Sequence, residues 1–170
     1  MQAALRRATG GEAVRWVDPA SVHLTLQFLG AVPEDRVEEV RAAVAAAAAG
    51  GSPLRLEVAG AIAFPGPRRP RVIGSGVRGD LPGLAALVTD LGRELAPLGY
   101  PPEDRPFHPH LTLARVRAGV PPRGLGEALA AAAAGPPAAW VADEVVLVRS
   151  HLAPGGSRHE PLARFPLSAA

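Results

Sequence analysis

The chain has 170 residues, 48% of them hydrophobic and only 4% aromatic, with a formal net charge of +2. That length supports one domain, or one domain of two lobes, with a core resting on Leu, Val and Ala. There is no cysteine, and all 18 basic residues are arginine, which excludes disulfides, thiolate metal sites, a cysteine nucleophile, a P-loop lysine, a Schiff base and ligation through a lysyl-nucleotide.

In chain order, residues 1–10 read as a helical piece ending at Gly10-Gly11. Val14–Val17 reads as a short strand and Asp18-Pro19-Ala20-Ser21 as a turn. Val22–Leu29 reads as a strand closed by Gly30. Pro33 then opens a helix through about Ala48, with acidic residues in its first turns and Val37, Val40 and Val44 on one stripe. Leu54–Val58 alternates as a half-buried strand. Phe64–Pro70 is a rigid loop, and Arg71–Val77 is a strand. Asp80 is placed to cap a helix from Leu81 to about Leu98, whose buried face is Leu84, Leu87, Val88, Leu91 and Leu95. A Pro-rich loop, Gly99–Phe107, leads into a strand over residues 110–117. Pro121 begins a last helix to about Ala134. Glu144–Leu152 and Arg158–Leu167 read as a hairpin closed by Pro154-Gly155-Gly156. No signal peptide and no apolar run of membrane-spanning length is visible, so a soluble, cytoplasmic monomer with no membrane partner is expected.

Two stretches share one pattern, half a chain apart: His23-Leu24-Thr25-Leu26 and His110-Leu111-Thr112-Leu113. In a strand, alternate side chains share a face. Each copy therefore presents His and Thr on one side and two leucines on the other. Two imidazoles, one neutral and one protonated, supply a base and an acid near neutral pH. Hydroxyls can donate to non-bridging phosphate oxygens as charge develops there. The pattern suits the opening of a cyclic phosphate by water, with His23 and His110 as candidate catalytic residues and Thr25 and Thr112 as candidate phosphate ligands. No metal or other cofactor is required. The competing reading is a pair of satisfied structural histidines, and it is weakened by the repetition. Strict alternation puts Arg115 on the Leu face, unless a bend or bulge at the strand end re-aims it. Phe64 and Arg68, with Arg69 and Arg71, offer a ring and guanidinium groups of the kind that hold single-stranded RNA. The alternative for Phe64, slightly favoured, is a buried ring beneath a solvated loop. The His108-Pro109-His110 spacing could serve a metal, but no further ligand cluster accompanies it. His151 and His159 read as surface residues.

Arg15-Trp16-Val17, His23–Gly30, His108–Arg115 and the tail Ser150–Ser157 resemble, in this order, the motifs of the RNA 2′,3′-cyclic phosphodiesterases, historically called 2′-5′ RNA ligases, within the 2H phosphoesterase superfamily. The resemblance implies an α+β, bilobal 2H phosphoesterase-like fold: two mostly antiparallel sheets with outer helices and both motifs in a central cleft. The repeated motif is in keeping with two pseudo-symmetric lobes. The resemblance also implies hydrolysis of RNA 2′,3′-cyclic ends to a 2′-phosphate, with Arg115 helping to hold phosphate. In that scheme His23 protonates the leaving 3′-oxygen and His110 activates water; the residues alone do not assign acid and base between them. The partner is then RNA with a 2′,3′-cyclic phosphate end or a small cyclic nucleotide such as ADP-ribose 1″,2″-cyclic phosphate. A non-catalytic nucleotide- or RNA-binding module and a His-based metalloenzyme are the other readings. The family usually opens with a strand and a full helix, so the sequence reads as lacking the family's N-terminal strand.

Overall fold

The computed structural model describes residues 1–9, 14–117, 124–133, 138–153 and 156–168. The expected helix stop at Gly10-Gly11, the start and end of the last helix at Pro121 and Ala134, and the turn at Pro154-Gly155 lie outside those residues. Helix α1 spans Gln2–Thr9, α2 Val37–Ala49, α3 Leu81–Leu95 and α4 Leu125–Ala133. The strands are β1 Val14–Trp16, β2 Leu54–Phe64, β3 Val72–Gly79, β4 His110–Val116, β5 Ala139–Ala142, β6 Glu144–Ala153 and β7 Gly156–Pro166. They form a five-stranded sheet in the order β1-β4-β3-β2-β5 and a two-stranded sheet, β6-β7. The pairings of β1 with β4, β3 with β4 and β6 with β7 are all antiparallel. The α+β class with antiparallel sheets is as the sequence led us to expect.

By internal contacts the chain resolves into two units. One comprises Met1–Thr25, Glu57–Arg78 and Pro109–Ala139; the other comprises Leu26–Leu56, Gly79–His108 and Trp140–Ala170. In the first unit, α1 packs on α4. Leu5, Val14, Ile73, Leu113, Ala114, Leu125 and Ala128 form its core. Each leucine or isoleucine buried this way contributes about 1.5–3 kcal/mol. In the second unit, α2 packs on α3 and on the β6-β7 hairpin. Val40, Val44, Ala47 and Ala48 of α2 are buried, as are Leu84, Leu87, Leu91 and Leu95 of α3. The Asp80 carboxylate accepts from the Gly83 amide at 3.0 Å and so caps α3.

Two sequence expectations are corrected. Val22–Leu29 is not a regular strand: it is irregular chain whose pairing is a single antiparallel bridge, Leu24 to Leu111. The 3₁₀ turn Pro19–Ser21, capped by Asp18, interrupts the pairing before it. Beyond it, the Gln27 side-chain amide bonds the Tyr100 carbonyl at 2.9 Å instead of a ladder forming. The second expected strand does not stop at Val58 but continues to Phe64, so Phe64 ends β2 rather than sitting in the loop. The small residues Ala59, Gly60, Ala61 and Ala63 carry no alternation to read. The short strand β5 was not foreseen.

Candidate active site

Both His-Leu-Thr copies, residues 23–25 and 110–112, lie in the first unit. β4 carries the second copy between two neighbours. On one side it pairs with β3, with Gly76 opposite His110, Ser75 opposite Leu111 and Gly74 opposite Thr112. On the other side it pairs with β1, and Leu24 then bridges Leu111. The first motif thus resumes the line that β1 began, after the Pro19–Ser21 excursion.

The bridge joins the middle residues of the two triplets. An antiparallel bridge puts its own two side chains on one face and the flanking side chains on the other. With Leu24 opposite Leu111, His23 comes beside Thr112 and Thr25 beside His110. All four motif side chains therefore share one face in a locally two-fold arrangement, each imidazole next to the other copy's hydroxyl. Leu113, on the opposite face, is buried in the core. Matching strand faces, expected from the sequence, are achieved by one bridge rather than two full strands.

The His23 ring is oriented by its own turn. His23 Nδ1 lies 2.9 Å from the Ser21 carbonyl oxygen. A carbonyl only accepts, so Nδ1 carries the hydrogen and Nε2 is the basic nitrogen of the neutral ring. His110 is half-buried, and its ring meets the Phe64 ring at a centroid distance of 4.9 Å and a tilt of 53°. Phe64 is itself half-buried rather than hidden, so the expected buried ring is replaced by one that braces a candidate catalytic imidazole. Beside them, β3 presents Gly74 and Gly76, leaving backbone as the floor next to His110 and Thr112. A Cβ at Gly74 would stand 2.9 Å from the Leu111 carbonyl oxygen and 3.7 Å from His110 Cδ2.

Arg115 reaches the same face through a bulge. Ile73 pairs with Ala114 while Gly74 pairs with Thr112, which leaves Leu113 as an extra residue on β4. Leu113 and Ala114 both go into the core. Arg115 then pairs with Val72, which alternates with Gly74 and Gly76, and so joins the His/Thr face. Arg15 lies directly opposite Arg115 on β1. Its neighbours Val14 and Trp16 pack in the core, so Arg15 shares that face too. Nothing but the alternation of Val14-Arg15-Trp16 in the sequence signals it. Gln2 was also missed: its side-chain amide donates to the carbonyls of Val17 at 2.6 Å and Leu113 at 3.0 Å, tying α1 to the point where β1 leaves β4.

Arg68 is exposed on the turn after Phe64, where Pro65–Arg69 line an open hollow of about 400 Å³. Among the described contacts none joins Arg68 to the four motif side chains. His108 is exposed, and His151 bonds Glu160 at 2.6 Å on the β6-β7 hairpin. Among the described residues no group of three or more His, Cys, Asp or Glu side chains could hold a metal.

The family model for LigT-like phosphoesterases matches residues 1–74 and 80–159. An RNA 2′,3′-cyclic phosphodiesterase of Aeropyrum pernix is 36% identical over 63% of this chain and 60% of its own length. One of Geobacillus stearothermophilus is 34% identical over 91% of this chain and 48% of its own length, so the chain spans about half to three-fifths of these two relatives. Among solved structures, a Thermus thermophilus protein superposes with a TM-score of 0.77 at 30% identity, covering 98% of this chain and 91% of that one. Escherichia coli LigT in complex with 3′-AMP superposes at 0.72 and 25% identity, covering 99% and 94%. By sequence and by fold, the chain belongs to the LigT-like phosphoesterase family.

Proposed function

We propose that this chain hydrolyses the 2′,3′-cyclic phosphate at an RNA end to a 2′-phosphate. The observation that carries the reading is the Leu24–Leu111 bridge, from which it follows that both imidazoles and both hydroxyls share one face. The names of the relatives give the substrate class. In the reaction His110 takes a proton from water, and the water oxygen attacks phosphorus. The bond from phosphorus to the 3′-oxygen breaks, and His23 Nε2 delivers a proton to that oxygen. Thr25 and Thr112 donate to the non-bridging oxygens as negative charge grows on them. Arg115 neutralises the same charge through its guanidinium fork. Proton return through water restores the starting state. Phe64 and the Arg68 turn serve the rest of the substrate, Phe64 by bracing His110 and Arg68 by attracting the RNA backbone.

A short RNA with a 2′,3′-cyclic end is the test substrate. Turnover to a 2′-phosphate is expected, and His23→Ala or His110→Ala lowers it by roughly 10² to 10⁴, the usual yield of one acid or base. Near-normal hydrolysis by the double variant would refute the scheme. A second reading, a small cyclic nucleotide as substrate, is favoured by the 3′-AMP held in the Escherichia coli structure. Comparing RNA with a cyclic mononucleotide decides between them.

A further inference from the structure

Beyond the four motif residues, the His/Thr face continues as a track. Along β4 it runs from the Thr25/His110 row to the His23/Thr112 row and on to the Arg15/Arg115 row. Two guanidinium groups directly opposite each other on adjacent strands repel. Among the described residues none of the ion pairs involves Arg15 or Arg115. Among the described residues Arg15 Nη2, which is buried, has no hydrogen-bond partner, an arrangement that is costly unless an anion completes it. Core packing of Val14 and Trp16 on either side holds Arg15 in place.

We propose that Arg15, with Arg115, forms a second phosphate subsite that grips the phosphodiester on the 5′ side of the terminal nucleotide. This rests on reading the His/Thr face as the seat of the cyclic phosphate. From the Thr112 row to the Arg115 row is two residues along β3, from Gly74 to Val72, or roughly 7 Å at the strand rise. That is comparable to the distance between the two phosphorus atoms that flank one ribose. The cyclic phosphate occupies the central rows, and Arg115, at the boundary, reaches either group. Arg15, one row out and across the strand, faces the second phosphate. The guanidinium there offers planar, bidentate donation to a phosphate. The subsite favours an RNA end, or a 5′-phosphorylated nucleotide, over a nucleoside cyclic phosphate that ends in a free 5′-hydroxyl.

The test compares two pairs of probes on the full chain. In calorimetric binding, adenosine 2′,5′-bisphosphate is set against adenosine 2′-phosphate. In turnover, adenosine 2′,3′-cyclic phosphate is used with and without a 5′-phosphate. The wild type is expected to prefer the 5′-phosphorylated member of each pair by roughly ten- to hundred-fold, the yield of a charge-assisted contact. Arg15→Gln should bring that ratio close to one, and Arg15→Lys, which keeps charge but not the fork, should leave it in between. No preference in the wild type, or a preference that survives Arg15→Gln, overturns the inference. If Arg15→Gln does not fold, the ratio in Arg15→Lys decides: an unchanged ratio overturns the inference. Preference in binding without turnover of either cyclic substrate would sink the hydrolase reading while sustaining the subsite. Turnover without preference does the reverse.

Discussion

At the scale of single residues, a glycine constrains the site as firmly as the histidines do. Gly74 leaves room for the Leu111 carbonyl, against which a Cβ would press at 2.9 Å. Because the obstacle is backbone, relief must come from moving β4 between His110 and Thr112. Gly74→Ala is therefore expected to destabilise the fold by about 1–3 kcal/mol, the usual cost of overpacking, and to lower kcat in the protein that remains folded. Urea denaturation and steady-state kinetics measure the two effects separately, and unchanged values for both would refute the close approach. That the histidines and threonines share a face was legible in the sequence, because a repeated motif with alternating faces is a strong signal. Gly74, Gln2 and Arg15 were not, because each matters through a register or a bulge that only long-range pairing defines. The position of Arg115 was half legible: alternation argued against it, and the bulge at Leu113 reverses the alternation.

At the scale of elements, the α3 cap and most of the buried faces of α2 and α3 were read correctly, and the strand form of the first motif was not. Asp80 caps α3 as its place before Leu81 implied. Replacing it with Ala should cost about 1 kcal/mol in a urea titration. Val22–Leu29 has the composition of a strand, yet the Pro19–Ser21 turn and the bonds of Gln27 reduce its pairing to one bridge. Propensity describes what a segment can do; the available edge determines what it does. The β6-β7 hairpin carries a pH-dependent contact. The bond from His151 holds the Glu160 carboxyl below its ordinary value. A depressed carboxylate stabilises the native state above its unfolded pKa, and that contribution is lost as pH falls through the folded value. Because the pair is exposed, the effect is small. Thermal denaturation of wild type and Glu160→Gln should differ slightly at neutral pH and converge in acid, and a difference that grows in acid would contradict the assignment.

At the scale of the whole molecule, the α+β class, the antiparallel pairings and the packing of helices on strands followed from periodicity and turn chemistry. Strand β5 did not, because Ala139-Trp140-Val141-Ala142 is too short to show a period. The proposed chemistry places every proton-transfer role on side chains, so hydrolysis should survive prolonged EDTA treatment. Activity lost to the chelator and restored by zinc or manganese would overturn that scheme. The two units also share the chain in an alternating way: it passes between them after residues 25, 56, 78, 108 and 139. The first of these passages follows Thr25 directly, and the fourth falls just before the second motif. No single cut separates one unit from the other. A gene fusion or recombination joint anywhere from residue 26 to residue 139 divides both units at once, and any joint between residues 26 and 109 parts His23 from His110. During synthesis, the first unit's final segment, starting at Pro109, is made only after the second unit's first two segments. The nascent chain therefore carries its first motif without the second until late. Useful chimaeras between relatives will exchange interior faces and turns, not halves.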